Sequence, residues 1–214
     1  MTTTIETTGA TDALFAQFAA GQLRGPAHAL VAAHLELKAG NRNYVAALED
    51  MAAGSLDDIE PVAVSNRDAR LEAIFNAPSS AGTPERAKSI IPRALQRYAN
   101  VKVDDIPWKT VIPGFKEWDL GVEDGCEINM FWIKEGRKMP THTHEGMELF
   151  LVLDGSFEDE SGVYGAGDIS IADENVNHRP IAGNDRPCIG FSVTDAPLRL
   201  TGSFSEKIGM FFGH

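Results

Sequence analysis

The chain has few cysteines, no long apolar run and no basic leader, and each shortage excludes a class of protein. Its two cysteines, Cys126 and Cys188, are too few for the disulfide framework of a small secreted domain. We expect both to be buried as small hydrophobic side chains, with a redox role for Cys188 as the open alternative. No apolar segment approaches the length of a membrane span, so we expect a cytoplasmic protein that does not contact membranes.

Basic residues are also scarce. Lysine and arginine total 19, against 31 aspartate and glutamate residues, and the net charge is -12 at pH 7. Direct binding to nucleic acid needs a basic surface, so this charge balance argues against it. An acidic chain is better suited to a partner with a basic face. Hydrophobic residues make up 43% of the chain, which is enough for a proper core.

Histidine is equally sparse, which makes the positions of the six histidines informative. His142 and His144 are two residues apart, so on an extended strand they point to the same face. Glu148 keeps this parity, and His178 follows a second strand-like segment, 168–172. Three imidazole nitrogens and one carboxylate oxygen from neighbouring strands can ligate a first-row metal ion. We therefore predict one divalent metal at these four residues; the alternative is a solvated strand face with ordinary polar residues.

Composition changes along the chain and indicates two domains. Residues 1–76 are rich in alanine and show the apolar spacing of short helices. Residues 77–92 contain the proline, serine and glycine typical of a linker. Residues 93–214 carry short apolar strands between turn signals, as in a jelly-roll barrel. We predict an α+β protein with a small all-α helical module followed by an all-β barrel.

Local signals predict where the helices begin and end. A side-chain oxygen ahead of an apolar stripe caps a helix, proline suits its first turn, and glycine ends it. A serine followed three residues later by an acidic residue resembles a capping box. The signals are Thr11–Asp12 for the first helix, Pro26 and Gly40 for the second, and Ser65 with Asp68 for the fourth. Helices this short form a small module that a partner could complete.

A glycine frame around the histidines resembles the first signature motif of the cupin superfamily. Gly136 is separated from His142 by five residues, and Glu148 is separated from Gly155 by six. Because Gly155 follows Asp154, we predict a tight Asp-Gly hairpin turn at the end of this strand. The resemblance implies a metal-binding cupin barrel.

The resemblance extends to nearly the whole chain. Segments 18–23, 165–173 and 194–199 are similar to sequences of the ChrR-type anti-sigma factors, including Asp173, where other cupins often carry proline. The resemblance implies that the helices bind a group IV (extracytoplasmic-function) sigma factor and block its access to RNA polymerase. It also implies a cupin that senses singlet oxygen or an organic hydroperoxide and holds zinc at the four predicted ligands. By analogy with other cupins, we expect a homodimer.

The helical module departs from the zinc-binding form of this family. That form carries a histidine, three residues, a cysteine, two residues and a second cysteine. Here His34 is followed by Lys38 and Asn41 at the two cysteine positions, and Glu6 is the nearest upstream candidate ligand. A protonated lysine cannot ligate zinc and asparagine is a poor ligand, so we predict that this zinc is lost. We expect His34 to pack between helices instead.

An enzyme is the main alternative function. Some cupins are iron-dependent dioxygenases of small diketones or aryl ketones, and a histidine-rich site with open coordination positions can bind such a substrate and O₂. Zinc is the expected metal, with iron, manganese or nickel as alternatives, and iron would favour the enzyme. A metal-dependent sensor of a small molecule is a third hypothesis. Met130, Trp132 and Phe150 either line the barrel interior or pack in an ordinary core.

Overall fold

The N-terminal part of the protein is helical. A computed structural model describes residues 4–78 and 89–201, with side chains from residue 9 onward. In these ranges the α-helices are α1 (Thr4–Ala19), α2 (Gly25–Leu37), α3 (Arg42–Ala53) and α4 (Arg67–Phe75). Among them, no helix is long and apolar enough to cross a lipid bilayer.

The helix ends agree only in part with the local signals. Pro26 lies in the first turn of α2 as predicted, and Gly40 lies in the short turn that follows this helix. The cap predicted at Thr11–Asp12 is wrong, because α1 begins earlier, at Thr4, and continues through both residues. Residues 4–10 contain no proline that would interrupt the helix before this point. The capping box at Ser65 is also wrong. The residue that precedes α4 is Asn66, whose left-handed backbone (φ 56°) is tolerated by asparagine.

The C-terminal part is an antiparallel β domain. Its strands are β1 (Lys109–Ile112), β2 (Phe115–Glu123), β3 (Cys126–Ile133), β4 (His142–His144), β5 (Glu148–Asp154), β6 (Ser156–Asp159), β7 (Gly162–Gly165), β8 (Ile169–Ala172), β9 (Ile181–Ala182), β10 (Cys188–Thr194) and β11 (Leu198–Leu200). Six strands form one sheet in the order β1-β2-β3-β10-β5-β8, and β7-β6-β9 and β11-β4 form two smaller sheets. Helices followed by an antiparallel β domain confirm the predicted fold class.

Gly155 marks the point where the chain leaves the large sheet. Its backbone is left-handed (φ 74°), and a Cβ there would clash with the carbonyl group of Pro187 and lie 3.0 Å from Cα of Cys188. Only glycine fits this position without strain. The predicted hairpin is wrong, however, because β5 pairs with β8 and β10 whereas β6 pairs with β7 and β9. The turn at Gly155 therefore carries the chain from one sheet to another.

The two faces of the large sheet have different surroundings. Leu149 and Leu151 of β5 lie in one apolar cluster with Phe15 and Leu30 of the helices. Phe150, between them in sequence, lies in a second cluster on the opposite face, as the period of two along a strand requires. Since α1 contacts β8 and α2 contacts β5 and β10, the helices and this sheet share a single core.

Met130, Trp132 and Phe150, which the sequence places either in the barrel interior or in an ordinary core, lie on different faces of this sheet. Met130 is fully buried in the cluster that includes the helices, and Trp132 packs against the same cluster. Both therefore belong to an ordinary core. Phe150 lines a cavity on the other side of the sheet, together with the histidines described below.

The connection between the helices and the β domain is described at both ends. Residues 79–88 of the predicted linker lie outside the described ranges. Ile91, near its end, is buried in the shared core. The carboxylate of Glu36 in α2 accepts hydrogen bonds from the backbone amides of Arg93 and Ala94, each 2.9 Å long. The start of the β part is therefore fixed to the second helix.

Candidate metal centre

The structure brings the three sequence-predicted histidines together. β4 places His142 and His144 on one face of the strand, and backbone hydrogen bonds of 3.0 Å join His142 to His178 in both directions. The three residues, His142, His144 and His178, are 6%, 1% and 3% exposed, respectively. One nitrogen from each ring lies within 4.8 Å of a nitrogen from each of the others, a geometry that can hold a metal ion.

Hydrogen bonding fixes the tautomers of His142 and His178. Nδ1 of His142 lies 2.8 Å from the carbonyl oxygen of Pro140, and Nδ1 of His178 lies 2.8 Å from Oδ2 of Asp159. Both partners are acceptors, so each Nδ1 carries a proton and Nε2 is the nitrogen left to face a ligand. These two Nε2 atoms lie 3.0 Å apart. This is close enough for one metal ion, or one shared proton, to bridge both nitrogens.

The third histidine strengthens the same conclusion. Neither ring nitrogen of His144 has a hydrogen-bond partner among the described residues, although Nε2 lies 3.4 Å from Oε2 of Glu148. Burial lowers the pKa of His142 and of His144 to about 4, so both rings are neutral at pH 7. Buried neutral imidazoles with converging lone pairs are what a divalent metal requires of its ligands.

Glu148 lies beside this cluster and is anchored by a neighbouring strand. Its Oε1 accepts a 2.8 Å hydrogen bond from the hydroxyl group of Ser192 on β10. Its Oε2 faces His144, as noted above, and its side chain lines the same cavity as His142 and His178. Glu148 is not part of the group of ligand atoms that all lie within 4.8 Å of one another, which consists of the three histidines.

Asp159, at the end of β6, is a functional residue that sequence reasoning missed. Its side chain is only 1% exposed, and it accepts hydrogen bonds from His178 and from the backbone amides of Ser161 and Gly162. Burial alone raises the pKa of a carboxyl group, but these hydrogen bonds outweigh burial and hold the pKa of Asp159 below its usual value. A carboxylate that accepts the Nδ1 proton of a ligand histidine orients the ring and makes it more basic.

A cavity of about 110 Å³ adjoins the histidines. Most of its walls are apolar, and His142, His178, Glu148 and Ser170 supply the polar groups. The apolar lining consists of Phe115, Phe131, Ile133, Met139, Phe150, Phe157, Pro180 and Leu198. The space is sufficient for a small ligand next to a bound metal.

The cysteines contribute no thiolate to this site. Cys126 and Cys188 are both buried and free, as predicted. Cys188 packs behind the cavity, and burial raises its pKa to about 12. Its thiol is therefore protonated at neutral pH, which argues against thiolate chemistry.

In the helical module, His34 and Asn41, at positions where the family resemblance predicts zinc ligands, form a hydrogen bond with each other. His34 is 4% exposed, and its ring lies 5.3 Å from that of Phe15. Its Nδ1 donates to the carbonyl oxygen of Gly167 at 2.6 Å, so its Nε2 accepts from the side-chain amide of Asn41 at 2.8 Å. Both ring nitrogens are thereby used in hydrogen bonds. Burial lowers the pKa of His34, which keeps the ring neutral.

The fold and the histidine cluster define a cupin domain with a site that can bind a metal. In agreement, residues 96–196 match the family model of the ChrR cupin-like domain. The chain is 34% identical over 206 residues to the anti-sigma-E factor ChrR of Cereibacter sphaeroides, covering 94% of this chain and 95% of that protein. The chain therefore belongs to the ChrR family, and the resemblance noted in the sequence is confirmed.

A solved structure extends the similarity to three dimensions. The anti-sigma factor ChrR of Rhodobacter sphaeroides has been crystallised in complex with SigE, and the present chain matches this structure with a TM-score of 0.74. The sequences are 32% identical, and the match covers 86% of this chain and 96% of that chain. The chain thus shares the fold of that ChrR structure over most of its length.

Proposed function

We propose that the protein is an anti-sigma factor. Its helices, within residues 1–76, bind an extracytoplasmic-function (group IV) sigma factor and withhold it from RNA polymerase. Its cupin domain, residues 93–214, binds a metal and senses oxidative stress. The proposal includes a cytoplasmic location, because RNA polymerase acts there, and the homodimer expected for cupins.

The observation that carries the proposal is an uncovered apolar surface on the helical module. Every residue of α4 is at least partly exposed, including Ile74 and Phe75, which are 66% and 80% exposed. Other large hydrophobic side chains that are more than half exposed lie just ahead of this helix: Met51, Leu56, Ile59, Val62 and Val64. Apolar surface of this extent marks a binding site for another protein. We name residues 51–75 the apolar segment.

The charge of the same segment suits the proposed partner. Asp57, Asp58 and Glu60 lie among its exposed hydrophobic residues. A sigma factor must carry basic surfaces to bind promoter DNA. Acidic groups around an apolar contact would complement such a surface and speed association. The opposite side of the module, with Phe15 and Leu30, is already covered by the β domain.

For the cupin domain we propose one metal ion held by His142, His144 and His178, with Glu148 as the fourth ligand. Histidine nitrogens and carboxylate oxygens are both established zinc ligands, and zinc is the proposed metal. Metal analysis of the purified protein distinguishes it from iron, manganese or nickel. Iron near one ion per chain, with a reaction of the ferrous form with O₂, would favour the dioxygenase instead.

Co-expression tests the anti-sigma function directly. The chain should be produced with each extracytoplasmic-function sigma factor of its host in turn, and any complex isolated and added to RNA polymerase. We expect one sigma factor to co-purify with the chain. Transcription in vitro that depends on this sigma factor should fall when the chain is added to RNA polymerase. Absence of binding and of inhibition with every such factor would refute the proposal.

A further inference from the structure

Beside the apolar core that they share, the helical module and the cupin domain also meet at a small polar contact. On the helical side are His34, Lys38 and Asn41; on the cupin side is the turn at Gly167 and Asp168, between β7 and β8. His34 donates to the Gly167 carbonyl, and Nζ of Lys38 lies 3.1 Å from Oδ1 of Asp168. Asn41 does not touch the turn but donates to His34 and so fixes its ring. We name these five residues the clasp.

The turn of the clasp is built rigidly into the cupin domain. The backbone groups of Gly167 and Asp168 make hydrogen bonds of 2.8 Å and 3.0 Å to Val152 of β5. The carboxylate of Asp168 also accepts a 2.9 Å hydrogen bond from the amide of Gly165. A movement of β5 or β8 must therefore move the turn, and the turn holds α2.

The same strands form a wall of the candidate metal centre. β8 begins directly after the turn, and its Ser170 lines the cavity. Its Ala172 pairs with Glu148 at the start of β5. A change at the centre thus has a short covalent and hydrogen-bonded route to the clasp.

The close approach of α2 depends on a glycine. Gly167 has a left-handed backbone (φ 89°), and a Cβ there would lie 2.8 Å from Cγ of Lys38 and 3.1 Å from Cβ of Leu37. Any side chain at this position would push the helix away from the turn.

We propose that the clasp docks the helical module on the cupin domain without a metal ion of its own, and that it couples the metal centre to the partner-binding helices. The docking half of this proposal stands on the contacts above. The coupling half rests on the proposed anti-sigma function. In terms of linkage, metal binding and sigma-factor binding would each change the affinity for the other through the clasp.

Hydrogen exchange of the full-length, metal-loaded protein tests the docking half. Gly167→Ala should open the clasp, and we expect the amides of α2 to exchange roughly tenfold faster while those of β10 keep their protection. Gly121→Ala is the matched control, because Gly121 also has a left-handed backbone (φ 99°) but has open space at its Cβ position. The control should leave α2 unchanged.

A second variant opens the clasp from the helical side. Asn41→Ala removes the donor to Nε2 of His34 without adding bulk, and it should raise exchange in α2 in the same direction. Both variants should retain the same metal content as the wild type. If exchange in α2 is unchanged in Gly167→Ala and in Asn41→Ala, the docking role is wrong.

The coupling half is tested with the sigma factor identified by co-expression. Its Kd should be measured with metal-loaded protein and with protein stripped by a chelator. We expect these two values to differ by about fivefold or more in the wild type and in Gly121→Ala, and to converge in Gly167→Ala. An equal difference in all three proteins would overturn the coupling. If the wild type binds no sigma factor, the anti-sigma function fails, whereas the exchange data still decide the docking.

Discussion

The Nε2 atoms of His142 and His178 lie 3.0 Å apart. Each Nδ1 faces an acceptor, the Pro140 carbonyl oxygen for His142 and the Asp159 carboxylate for His178, so Nε2 is the nitrogen left for a ligand in both rings. Burial lowers the pKa of His142 to about 4, so its Nε2 offers a lone pair at pH 7. A metal ion at this point would use that lone pair together with the nitrogens of His178 and His144.

Removing two of these rings should abolish metal binding. We expect the purified wild type to contain one metal ion per chain and the His142→Ala, His144→Ala double variant to contain almost none, since a single imidazole does not hold the ion. Elemental analysis of both proteins measures this. Lys38→Ala is the control and should leave the metal content unchanged; a decrease would reveal a second site in the helical module.

The carboxylate behind His178 should contribute to metal affinity. Asp159→Asn keeps the shape of the side chain but removes the charge that holds the Nδ1 proton, and we expect roughly 10–100-fold weaker metal binding in a chelator competition. Glu158→Gln is the matched control, because Glu158 is an exposed neighbour on the same strand. Equal affinities of the two variants would show that Asp159 does not orient the ligand.

His34 should make stability depend on pH. Burial lowers the pKa of His34 below the value of 6.5 for a free histidine; nearby Lys38 lowers it further and Asp168 opposes this. The unfolded chain therefore binds the proton more readily, so the contribution of His34 to stability is complete above about pH 6.5 and is lost as the pH falls. When the pH is lowered from 7 to 5, the melting temperature of the wild type should fall by a few degrees more than that of His34→Gln.

The control for this pH effect is His28→Gln. His28 is exposed on the same helix, so this variant should show the pH dependence of the wild type. An identical dependence in His34→Gln and the wild type would contradict the assignment.

A charge in the apolar segment should disrupt partner binding without unfolding the protein. Phe75 is 80% exposed, and Phe75→Glu should weaken sigma-factor binding by about tenfold or more with little change in the melting temperature. Val163→Glu places the same charge at a valine on β7 that is 74% exposed, far along the chain from the helices, and should have little effect. Isothermal titration calorimetry measures sigma-factor binding by both variants, and a thermal melt gives their melting temperatures. Similar losses in the two variants would point to a non-specific charge effect.

The sequence predicts which histidines come together because their spacing follows local rules. His142 and His144 share a face of β4 through the period of two, whereas Glu148 begins a separate strand, β5. The glycine frame identifies the cupin motif. Asp159 and Ser192 escape prediction because they reach the centre from other strands, β6 and β10, whose positions depend on the sheet topology. A buried aspartate shortly after Gly155 is the only local signal, and many exposed turns carry the same residue type.

Local signals are less successful in predicting where the helices begin. The signals at Thr11–Asp12 and Ser65 are strictly local, and the structure overrides both. Likewise, the departure at Lys38 and Asn41 is visible in the sequence. The contact of Lys38 with Asp168 and that of His34 with Gly167 are not, because these residues are far apart in the chain. Long-range contacts of this kind require the fold itself.

The alternation of side chains along β5 limits which mutations this strand can accept in evolution. Leu149, Leu151 and Leu153 lie in the cluster with the helices, whereas Phe150 and Val152 lie in the second cluster on the opposite face. A one-residue insertion or deletion in this strand would exchange the two sets at once, placing cavity residues under the helices and helix-packing residues in the cavity. The two faces of the strand can therefore accept substitutions independently. A one-residue shift in its register, in contrast, would disturb the cavity beside the metal centre and the packing of the helices together.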